Sequence, residues 1–215
     1  MVKKAILFVF LLLAGYANVL PASESSSDAP EYALDSTVLF KAADSYEEAL
    51  RNWKTPEDIR AWIAANFSYD MERAVRLSET QRAKNEQISI YHPAELFNTK
   101  AGVCVDLSRF GVETLRRIDP RSDPKYLVVE FDPIHIAGNT LRFHWLVSFK
   151  RDGKTYFFAD SKRPGHIAGP YNETREFVQE YERYRGRKIV AFREVESYQK
   201  QKRARALKLQ RSEKP

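Results

Sequence analysis

From Tyr32 to Trp53 apolar residues recur at helical spacing, at Leu34, Val38, Leu39, Ala42, Tyr46, Ala49 and Leu50, and predict a first helix. Thr55-Pro56-Glu57-Asp58 restarts the chain as a second one, with Thr55 as N-cap, Pro56 at the first helical position and acids in the first turn. Its apolar face is Ile59, Trp62, Ile63 and Phe67. Residues 70 to 87, rich in Glu, Arg, Gln and Ala, predict a polar helix packed on one side, and Ala94 to Asn98 a short helical turn. From Cys104 the spacing of three and four returns at Leu107, Phe110, Gly111, Thr114, Leu115 and Ile118, until Asp119-Pro120 ends it. Beyond that point the period changes to two. Tyr126 to Phe131, Leu141 to Lys150, Thr155 to Ser161 and Lys188 to Val195 read as strands, and a helix from about Glu173 to Tyr184, capped by Asn172, interrupts the last connection. Helices first and strands later describe an α+β fold, with the Cys104 helix packed on an antiparallel sheet.

The ends of the chain change this picture. Lys3-Lys4, the apolar stretch Ala5 to Ala14 and small residues near Ala17 and Ala22 have the three parts of a secretory signal peptide. Residues 1–22 are therefore expected to direct the protein to a secreted or periplasmic location, with an uncleaved membrane anchor as the alternative. Residues 23–30 form a polar spacer, 31–196 the folded domain and 197–215 a basic tail.

The formal charge of +6 invites a nucleic-acid partner until it is divided along the chain. Residues 200–215 carry seven Lys and Arg and one acid, and the leader carries two lysines; the rest holds 26 basic against 28 acidic residues. The domain is thus nearly neutral, and nucleic acid is not the expected target. The tail reads as a solvated extension or as a contact for an anionic membrane or cell-wall polymer. Salt-sensitive binding that disappears on truncation at Glu196 separates the two.

A single cysteine, Cys104, leaves no disulfide within the chain. An unpaired thiol at a helix start suits either a small buried side chain or a nucleophile, because the positive end of the helix dipole favours a thiolate. Gly102, two residues earlier, offers a tight entry turn and room for a substrate backbone. Of four histidines, His92, His135 and His166 fall near helix starts or in loops, and His144 alone falls within a strand pattern. A three-residue loop, Arg151-Asp152-Gly153, would set His144 directly opposite Asp160; a two-residue Asp152-Gly153 loop would turn them to opposite faces. The spacing of His, Asp and Glu matches no metal-ligand set, so neither metal nor cofactor is expected.

The order Gly102-Val103-Cys104-Val105-Asp106, His144-Trp145 and Ala159-Asp160, with Trp62 to Tyr69 and Pro93 to Phe97 upstream, resembles the transglutaminase-like superfamily, whose core is similar to that of papain-like proteases. The resemblance implies Cys104 as nucleophile, His144 as general base and Asp160 as orienting acid. Asp106 would stabilise the helix start rather than react. Asn98, Asn66 and Tyr69 are the candidates for an oxyanion donor. The implied activity is cleavage of a peptide or isopeptide amide, or acyl transfer from it, through a thioester, by a monomer. The alternatives are an inactive binding module of the same fold and a structural envelope protein.

Overall fold

The computed structural model describes residues 40–84, 88–136, 138–158 and 165–199. The leader, the spacer, the first turns of the helix expected from Tyr32, Asp160 and the tail from Lys200 lie outside the described residues.

The helical half runs α1 (Tyr46–Asn52), α2 (Pro56–Asn66), α3 (Met71–Arg76), α4 (Glu79–Lys84), α5 (Pro93–Thr99) and α6 (Cys104–Ile118). Two-residue strands β1 (Ser68–Tyr69) and β2 (Ala101–Gly102) pair in parallel. The larger sheet is β3 (Lys125–Ile136), β4 (Asn139–Arg151), β5 (Lys154–Phe158), β6 (Ile167–Tyr171) and β7 (Ile189–Val195), in the order β6-β5-β4-β3-β7 and antiparallel throughout. Helix α7 (Thr174–Arg185) lies between β6 and β7. This is the α+β architecture expected, with α6 on an antiparallel sheet.

Local chemistry explains most boundaries. Thr55 caps α2 with Pro56 at its first position, and the Asp58 carboxylate accepts from the Thr55 N–H at 3.1 Å. The polar stretch 70–87 is broken: α3 closes at Leu77, and α4 starts at Glu79. Helix α7 is capped by Glu173 rather than Asn172, whose N–H and amide both donate to Glu176.

Two apolar layers flank the sheet. One joins Trp53, Trp62, Phe97, Phe110 and Leu115 from the helices to Val147, Phe149, Tyr156 and Phe158 from the sheet. Trp62 is its hub, stacked on Phe97 at 5.0 Å and packed on Phe110 at 4.7 Å. The other joins Val129, Leu146, Phe157 and Ala168 to Phe177, Val178 and Tyr181 of α7. Alternate residues of each strand therefore serve different layers.

The hairpin from β4 to β5 pairs Arg151 with Lys154, so its loop is the two residues Asp152-Gly153. Both have positive φ, 50° and 72°, as a type I′ turn requires. The three-residue loop expected for a catalytic histidine is not formed.

Candidate functional site

Helix α6 begins at Cys104 because Asp106 makes it begin there. Val103 is the N-cap in extended conformation, and its N–H donates to the Asp106 carboxylate at 3.1 Å. The same carboxylate accepts the Tyr91 N–H at 2.9 Å and both Nε and Nη2 of Arg73, at 2.7 and 2.9 Å. Arg73 and Asp106 are both fully buried, and the guanidinium lies 3.6 Å from the Tyr91 ring. Burial works against the Arg73 charge, yet the paired carboxylate outweighs it and holds the guanidinium above its ordinary value. Asp106 is thus the helix-start residue expected of it.

The entry to Cys104 is held from the other side by β1 and β2. Ser68 and Asp70 donate their N–H groups to the carbonyls of Lys100 and Gly102, at 2.9 and 2.8 Å. A Cβ on Gly102 would sit 2.7 Å from Leu96 Cδ1 and 3.2 Å from Asp106 Cβ. Glycine is required there so that α5 and Asp106 can close on the helix start; room for substrate is not the reason.

Cys104 occupies the first turn of α6, partly exposed, in a cleft between α6, the α3–α4 turn and the near end of β4. The walls are Tyr69, Leu77, Val103, Val105, Leu141, Phe143 and Trp145, with Ser78, Glu79, Thr140 and Arg142 among them. Trp145 is half-buried and borders this cleft, whereas Phe149, Tyr156, Phe157 and Phe158 are core. Arg142 bridges Glu79 and Glu130 at 3.2 Å each, and those carboxylates raise its pKa.

His144 does not join the thiol. It pairs with Val129, and its ring stacks on Tyr181 of α7 at 6.1 Å and 17°. Cys104 meets Phe143 and Trp145, the neighbours of His144 on the opposite face of the sheet. The reason is the two-residue turn together with strand alternation: Trp145, Val147 and Phe149 pack on the helical layer, and His144 and Leu146 on the α7 layer. In this register the His144 ring lies on the α7 side of the sheet, away from the lining of the Cys104 cleft. Asp160 lies outside the described residues, so the triad acid has no described position.

The other histidines sit elsewhere. His92 is the N-cap of α5, with Nδ1 2.6 Å from Arg109 Nη2. His135 lies within β3, not in a loop, and its Nδ1 is 3.1 Å from Thr140 Oγ1. His166 is buried just before β6. None of the four borders the Cys104 cleft. Of the three oxyanion candidates, Asn66 donates its amide to the Trp62 carbonyl at 3.1 Å and Asn98 is exposed on α5; Tyr69 alone borders the cleft. Among the described residues no cluster of His, Cys, Asp and Glu could hold a metal, and no helix is long and apolar enough to cross a membrane.

Sequence reasoning missed Arg73, the Phe143 wall and the β3–β4 tip that α4 clamps. Thr80 Oγ1 accepts the Thr140 N–H at 2.9 Å, and Gln81 donates to Asn139 at 3.0 Å. The one available signal was the run Leu141, Phe143, Trp145, Val147, Phe149, which marks odd positions as the bulkier face.

No curated protein matches the sequence. The family model described as a transglutaminase-like domain matches residues 43–189, more than half of the chain and the whole span from α1 to the start of β7. With a thiol opening a buried helix that lies on an antiparallel sheet, the chain belongs to the transglutaminase-like family.

Proposed function

We propose that this protein is an exported thiol enzyme in which Cys104 attacks an amide carbonyl, forming a thioester that passes to water or to an acceptor amine. The observation that carries the reading is the thiol in the first turn of a 15-residue helix, inside a cleft. Helix N-terminal N–H groups lower the cost of a thiolate and can also receive a developing oxyanion. Because Arg73 neutralises Asp106, the carboxylate two residues away does not cancel that effect. No histidine of the described residues borders the cleft, so the thiol proton passes to solvent before attack, and the departing amine is protonated from solvent. Hydrolysis is favoured over cross-linking, since the cleft is open to water. Export rests on the leader, and an exported protein starting after Ala17 or Ala22 by intact mass would support it.

The position of His144 favours a second reading, a transglutaminase-like binding module whose cleft recognises without reacting. Iodoacetamide labelling across pH separates the two, because Cys104 is the only thiol. The enzyme reading expects Cys104 to be alkylated at neutral pH roughly tenfold faster than glutathione, with the rate unchanged in His144→Ala. An ordinary or absent reactivity leaves the binding module. A rate that falls to the glutathione value in His144→Ala would contradict the placement of that ring behind the sheet.

A further inference from the structure

Most polar groups in the walls of the Cys104 cleft are paired with one another, although Arg142 Nε is buried without a hydrogen-bond partner. Glu79, Arg142 and Glu130 form a chain of two ion pairs, each 3.2 Å. Ser78 donates its hydroxyl to Asn139 at 3.2 Å, and Thr140 Oγ1 lies 3.1 Å from His135 Nδ1. The apolar part of the lining is Leu77, Val103, Val105, Leu141, Phe143 and Trp145. Phe143 is 41% exposed, so the apolar surface continues to the rim. The Arg142 charge is already met by two carboxylates, so an anionic ligand group gains little there, whereas a hydrocarbon group needs no partner.

Size narrows the class further. The cavity measures about 100 Å³. An apolar cavity of ~150 Å³ holds a benzene ring, so this one suits a smaller group, an aliphatic chain of roughly four carbons. We propose that the Cys104 cleft is a subsite for one uncharged aliphatic side chain of a peptide, of the size of valine or leucine, placed beside the amide that meets Sγ. The link to an amide rests on the thiol-enzyme reading; the aliphatic preference does not. Each methylene moved from water into such a wall is worth about fourfold in affinity, so partial burial of a branched chain gives tenfold or more.

Alkylation of the full-length chain tests this directly. Iodoacetamide, N-isobutyliodoacetamide and iodoacetate are compared by intact mass, each rate divided by its rate with glutathione. The expected result is at least a tenfold preference for the isobutyl amide over iodoacetamide, saturating with concentration, and iodoacetate slowest. Leu141→Ala should enlarge the subsite and move the preference to N-benzyliodoacetamide, while Phe143→Ala at the exposed rim should weaken the isobutyl preference without a change in thermal unfolding. Equal normalised rates for the three reagents, or iodoacetate as fast as the isobutyl amide, would overturn the subsite. An isobutyl preference alongside an iodoacetamide rate no faster than that of glutathione would sink the enzyme reading and leave the subsite standing.

Discussion

A carboxylate two residues after a thiol should oppose its ionisation, and in this protein Arg73 removes that conflict. Asp106 is fully buried and takes four donors, two from Arg73 and two from the backbone of Val103 and Tyr91. Arg73→Met leaves a buried carboxylate with backbone partners only. The expected loss is about 3 kcal/mol, the lower end of what stranding a buried charge costs, read from urea unfolding. Alkylation of Cys104 at neutral pH should slow in the same variant, because an uncompensated negative charge then adjoins the thiol. Rescue of the alkylation rate by Arg73→Lys would show that charge is responsible; an unchanged rate in Arg73→Met would refute it. Asp106 was legible in the sequence, since an acid at the third helical position is a cap signal. Arg73, 33 residues earlier, carried no such signal. The face on which His144 lies depends on one residue of loop length.

That loop shows how an element can redirect a side chain. The pair Asp152-Gly153 satisfies a type I′ turn, and this register sends His144 to the α7 face while Phe143 and Trp145 go to the thiol. Strand β6 escaped detection because Gly169-Pro170 breaks the alternation; as an edge strand it tolerates proline. Strand β3 runs through Pro133 at a break in register between Glu130 and Ile134, so its second half was invisible for the same reason. The α5–α6 junction is tightly packed. Gly102→Ala would drive a methyl into Leu96 and Asp106, for an expected cost of about 1–3 kcal/mol and a change in the alkylation rate of Cys104. Full stability and an unchanged rate by urea unfolding and labelling would refute that account.

Across the whole molecule, one bidentate ion pair ties the helical half to the hairpin. Arg151, at the end of β4, meets both oxygens of Glu57 in α2, at 2.7 and 2.9 Å. Burial pushes the Glu57 carboxyl up, but Arg151 wins and holds it below its ordinary value; Asp58 is lowered against burial by Lys41 and by the N–H groups of Lys54 and Thr55. A carboxyl depressed by folding stabilises above its unfolded pKa, about 4, and that contribution is lost as pH falls through the folded value. Thermal unfolding should therefore weaken below pH ~4, and less steeply in Glu57→Gln than in the parent. Equal slopes would exclude Glu57 as a contributor. At this scale the sequence by itself determined the α+β class, the helix that starts at Cys104 and the family, because period, caps and motif order are local properties. Only the tertiary structure decided which side chains share the thiol's cleft. Strand faces depend on register, and charge neutralisation depends on partners far apart in the chain, so neither Arg73 beside Asp106 nor His144 behind the sheet could be read along it.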